Sequence, residues 1–213
     1  MTETEWLVCT DPELMLGLLG GVNERKFKLF AVACWRAVVL AHFEDDSKLE
    51  AIQHFERHAE GELSRRDLME RFSSGWEAGT PIYREEGFST SFRTAFHTGM
   101  PRFDAAEVAR YAAEEPSVGV AAVTAFLGCV FGNPFRPVCL DPAWRTPTVV
   151  ALAQAAYDDR ILPAGTLDPD RLAVLADALD DAGCTDTDIL SHLREPALHV
   201  RGCWVVDAIL GKK

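Results

Sequence analysis

Sustained alternation of polar and apolar residues is scarce in this 213-residue chain, so half-buried strands are not expected. No two of the six cysteines stand in CxxC spacing, which removes the zinc-ribbon and thioredoxin patterns. The chain also lacks a Walker loop, a dinucleotide glycine fingerprint, HExxH and a GxSxG elbow, and with them the commonest phosphate, protease and hydrolase signatures. The glycines Gly17, Gly20 and Gly21 follow a helical stretch rather than a strand, so they are not read as a phosphate cradle. Positive charge is short: 21 Lys and Arg stand against 33 Asp and Glu, a formal net charge of -12. Such a surface repels phosphate backbones, so no nucleic-acid partner is expected. The opening MTETEW has neither a basic n-region nor an apolar h-region, so it is not read as a signal peptide. The most apolar run, residues 31–43, is too short to span a bilayer and carries Arg36 at its middle, so no membrane partner is expected either. The expected location is cytoplasmic, with Cys9, Cys34, Cys129, Cys139, Cys184 and Cys203 as thiols.

What is present is the punctuation of a helical protein. Hydrophobic residues make up 48% of the chain and charged residues 25%, enough apolar material for a core. Asp11-Pro12-Glu13 is a cap, a first-turn proline and a first-turn acid. That helix should stop at Gly20-Gly21. Residues 24–43 are apolar on most sides and should form a buried central helix. Further helices are expected at 46–60, from Ser64, at 104–114, 117–130, 147–158, from Pro169 to Gly183, from about Thr185 to Arg194, and from near Gly202 to Leu210. Residues 131–147, FGNPFRPVCLDPAWRTP, carry four prolines and must be irregular, although their aromatic residues suggest a loop packed onto the helices. The fold class is all-α, a bundle of about nine to ten helices with a proline-rich packed loop at 131–147. The expected organisation is an N-terminal helical half (1–77), a loop or junction (78–103) and a C-terminal helical half (104–213), together one domain.

Several long stretches carry a resemblance. EWLVCTDPELMLGLL, RKFKLFAVACWR, FGNPFRPVCLDPAWRTPTVVALAQAAYDDR and LAVLADALDDAGCTDTDILSHLREPALHVRGCWVVDAILGK resemble a widespread family of uncharacterised bacterial proteins, often present as many paralogues and sometimes fused to other modules. The resemblance covers most of the chain except roughly 62–125, and it implies no activity. Relatives often read HCR where this chain has His192-Leu193-Arg194, and apolar or aromatic residues where it has His54 and His58.

Five constellations offer chemistry. Cys184, His192, His199 and Cys203 supply two thiols and two imidazoles, the donor set of a tetrahedral zinc site, but at spacings of seven, six and three intervening residues; ordinary core packing competes. Cys203, at the expected start of the last helix with His199 one turn before, is a candidate nucleophile. His54 and His58, with Glu50, share a helix face but have no third metal ligand nearby. Residues 175–194 have the hydrophobic spacing of a helix-turn-helix, yet Asp180, Asp181, Asp186 and Asp188 oppose phosphate, so a helical hairpin is the better reading. In FGNPFRPV, Phe135 and Arg136, with Trp144 and Arg201, are candidate binding residues of the hot-spot type; alternatively Arg136 pairs with Asp141 or Asp207. On the last helix, Cys203, Val206, Ile209 and Leu210 should face inward with Trp204 and Val205 flanking.

The function expected from sequence is a non-enzymatic, cytoplasmic protein–protein interaction or adaptor module with a protein partner and no cofactor. The alternative is a metal- or thiol-dependent enzyme using Cys203 with His199, or a structural zinc protein.

Overall fold

The computed structural model describes residues 1–21, 23–42, 46–68, 70, 101–137 and 139–212. Among them the chain is all-α, with ten α-helices, one short 3-10 helix and no strand. They fall into two compact units, Met1–Thr124 and Ala125–Lys213. The greater part of the expected 78–103 junction lies outside the described residues.

The first unit contains α1 (Glu3–Leu7), α2 (Pro12–Leu18), α3 (Glu24–His42), α4 (Asp46–Ala59), α5 (Pro101–Glu114) and the start of α6 (Gly119–Phe131). Thr2 and Glu5 form a reciprocal capping box on α1, and Asp11 caps α2 through two backbone N–H groups. α3 is buried on nearly all sides, as its composition requires. Phe27, Leu29, Phe30, Val32, Cys34, Trp35 and Val38 are all at most 3% exposed, and burying each large side chain contributes about 1.5–3 kcal/mol. α3 packs on α4 and α5, where the Trp35 and Tyr111 rings meet at 5.4 Å. The Arg36 guanidinium, on the inner face of α3, meets the Glu56 carboxylate of α4 at 3.1 Å, both almost fully buried. α5 begins at Pro101, three residues before the expected start. The GMPRF stretch reads as a break, but a proline at the first helical position costs no hydrogen bond.

The second unit is built from the end of α6, the 3-10 turn Pro142–Trp144, α7 (Pro147–Asp158), α8 (Pro169–Asp181), α9 (Thr187–Arg194) and α10 (Trp204–Leu210). One local rule starts three of these: Asp141, Thr146 and Asp168 each accept a backbone N–H and precede a first-turn proline. α8 packs on α7 and α9, and α10 on α7 and α9, over Val149, Ala153, Leu172, Leu175, Ile189, Val205 and Ile209, none exposed. On α10 the inward set differs in phase from the expectation: Val205 is buried and Leu210 is half-exposed. α8 and α9 form a hairpin, and Arg194 at the end of α9 reaches back to Asp177 and Asp180 of α8, which gives Asp180, one of the four carboxylates noted in the sequence, a structural partner.

Asp186 caps α9 by accepting from Asp188 N at 2.9 Å and Ile189 N at 3.1 Å. Asp186→Ala is expected to cost about 1 kcal/mol, read as a lowered urea midpoint with an unchanged slope. A change below a few tenths would mean the cap is dispensable.

Candidate metal centre

Three local devices bring the ends of α6, α9 and α10 together. α6 delivers Cys129 in its last turn, and α9 presents His192 in its own last turn. Next, Thr166 bridges both Ile161 and Val200, and Leu167 N–H donates to His199 O at 2.9 Å. These bonds pin the segment carrying His199. Finally, the chain reverses at Gly202, whose φ of +92° is in the range that favours glycine, and Cys203 N–H closes the turn onto Val200 O. Cys203 is then the N-cap residue of α10.

The result is a cluster of Cys129, His192, His199 and Cys203 whose ligand atoms all lie within 4.8 Å of one another. Cys129, His199 and Cys203 are at most 3% exposed, and His192 is half-buried. The His192 Nε2 to Cys203 Sγ distance is 3.3 Å, and His199 Nδ1 to Cys129 Sγ is 3.9 Å. A tetrahedral zinc ion with ordinary Zn–S and Zn–N lengths separates sulfur and nitrogen by about 3.5 Å, between these two values. The two imidazoles meet edge to face at 4.7 Å between centroids.

Surrounding groups orient these donors. His199 Nε2–H donates to Glu195 O at 3.3 Å, so in the neutral ring the Nδ1 lone pair faces the sulfurs. Val200 N–H donates to Cys129 Sγ at 3.3 Å, a bond that favours a thiolate. Outer partners of this kind fix the orientation of metal ligands.

The same surroundings favour a thiolate at Cys203 and an imidazolium at His199. Burial would raise the Cys203 thiol, but hydrogen bonds from Cys129, His192 and His199 hold it well below the ordinary thiol range. Burial works against the His199 imidazolium, yet its bond to Cys203, the thiolate charge and the Glu195 carbonyl raise its pKa on balance. The thiolate's contribution to stability is lost as pH falls through its lowered pKa. The imidazolium's contribution is lost as pH rises through its raised one.

Of the sequence-derived set, His192, His199 and Cys203 converge and Cys184 does not. Cys184 is buried beyond the α8 turn, with its N–H on Leu179 O at 2.9 Å, and burial raises its thiol pKa. Its place is taken by Cys129, seventy residues before His199, which a reading confined to a short window misses. No spacing rule could have found it. The only sequence signal is a cysteine at the end of an apolar helix just before FGNPF.

The other candidates are dispersed. The middle of the proline-rich loop, 134–137, faces solvent rather than packing down, and Phe135 is 38% exposed. Arg136 pairs with Asp188 at 3.5 Å. Trp144 is half-buried. Arg201 lies over the buried Tyr157 ring at 4.8 Å, while Asp207 is itself buried. In the first unit, His58 Nδ1 meets Leu63 O at 2.9 Å, and no third ligand joins it and His54 among the described residues.

Comparison of the chain with protein-family models, with curated proteins and with solved structures finds no match.

Proposed function

We propose that the Ala125–Lys213 unit is a zinc-held, non-catalytic module that acts through contacts with a protein partner. The observation that carries the metal reading is the convergence of two thiols and two imidazoles within 4.8 Å. Sulfur and imidazole together select zinc over the harder oxygen-seeking cations. Four protein ligands fill a tetrahedral shell, the pattern of structural sites, whereas catalytic zinc keeps a position for water or substrate. The thiol-enzyme reading has one observation in its favour, the 3.3 Å Cys203–His192 contact. Against it, the Cys203 side chain is 0% exposed, and a nucleophile needs substrate access. Thiolate ligation also fits a reducing cytoplasm. A site that organises a fold without an open position for chemistry is compatible with the adaptor role.

Elemental analysis and calorimetric zinc titration of the tag-free full chain test the metal reading. One zinc per chain is expected, with net proton release on binding, because zinc displaces protons from thiol and imidazolium. Proton release appears as a dependence of the heat on buffer ionisation enthalpy. Absence of stoichiometric binding by the reduced protein would sink the proposal.

A further inference from the structure

His192 is the one ligand of the four with a solvent-facing edge; the other three are buried. The ring beside it is Trp204, with centroids 5.1 Å apart at 42°. Trp204 follows the ligand Cys203 directly and opens α10. The indole also lies against Gly132, three residues after the ligand Cys129. A Cβ built at Gly132 would stand 3.1–3.3 Å from the indole atoms Cγ, Cδ1 and Cδ2. Gly132 also has φ +66°, so both backbone conformation and close approach call for glycine there. The indole is therefore held between the backbone that follows one ligand and the ring of another, and is covalently adjacent to a third.

From this geometry we infer that Trp204 is a positioning residue for the metal centre: it holds His192 onto the ion and closes the edge through which an outside donor would enter. The inference rests on the zinc reading above. Metal exchange at a closed four-ligand site requires one ligand to leave while an incoming donor replaces it, with no change in oxidation state. His192 is the ligand that can leave, since its ring alone has room to move outward, and the indole stands against that movement.

The test is zinc transfer from the loaded, reduced full chain to an excess of a chromophoric chelator. Wild type should release zinc slowly, at a rate independent of chelator concentration. Trp204→Ala should release it about 10–100-fold faster, the scale on which loss of an outer partner weakens metal binding. Its rate should also rise with chelator concentration, because the open edge admits direct attack. A merely structural loss would not produce that second change. Trp204→Phe, which keeps an aromatic face, should stay near wild type. Trp204→Leu, which keeps apolar bulk, guards against misfolding of the alanine variant and should show the same concentration dependence. Wild-type rates in both the Ala and Leu variants would overturn the inference while leaving the zinc reading intact. Failure of wild type to bind zinc would remove both.

Discussion

Cys129→Ser and Cys203→Ser should each abolish stoichiometric zinc and unfold the C-terminal unit, whereas Cys184→Ser should keep its zinc. The magnitudes separate the cases. Structural zinc sites supply apparent binding free energies of about 10–16 kcal/mol near neutral pH, and that energy is coupled to folding. Whole domains are stable by only about 5–15 kcal/mol. Losing a ligand should therefore cost about 5 kcal/mol or more, beyond most single substitutions. Cys184 is just as buried as Cys129, each at 3% exposure. Its serine variant suffers only the burial of a hydroxyl, about 1–3 kcal/mol. Zinc content and hydrogen exchange across residues 125–212 report the outcome. If Cys129→Ser and Cys184→Ser behave alike, the cluster is only core packing.

Arg36→Ala is the second substitution with a large expected effect, and it falls in the other unit. Arg36 and Glu56 are 3.1 Å apart with side chains 4% and 5% exposed. Removing the guanidinium takes an ion partner from a buried carboxylate and should cost about 3–5 kcal/mol. Replacing both partners, as Arg36→Met with Glu56→Leu, should recover most of that loss, since apolar pairs of similar volume often serve as well as buried ions. Thermal unfolding followed by circular dichroism measures the loss, and zinc content should be unchanged in all these variants. A loss under about 1 kcal/mol, the scale of an exposed ion pair, would show that water reaches the pair.

Much of the helical grammar was legible in the sequence because it is local. Asp11-Pro12, Thr146-Pro147 and Asp168-Pro169 state helix starts within two residues, and each stands at a helix start. The central helix was legible from its apolar content, expected at 24–43 and found at Glu24–His42. Pro101 was misread because proline both breaks a helix and begins one, and only the backbone downstream decides which. The exposure of Phe135 was not legible, because an aromatic side chain in a proline-rich loop gives no sign of which way it points. For the candidate centre, three ligands were visible because they share one short stretch. Cys184 and Cys129 could not be ranked from sequence. Both are small buried thiols, and the choice between them is made by how α6 meets the turn at Gly202.

The spacing of the ligands has a consequence for how the unit assembles. His192, His199 and Cys203 are close enough along the chain to gather around an ion before the helices pack. Cys129 is seventy residues from His199, and bringing such distant points together costs loop-closure entropy that grows with the logarithm of the separation. Under the proposed zinc reading, an ion would meet three donors early and gain the fourth only as the helices dock. On that reading the final tightening of the metal and the docking of α6 would be one event, and affinity for zinc would also gauge how completely the unit has folded.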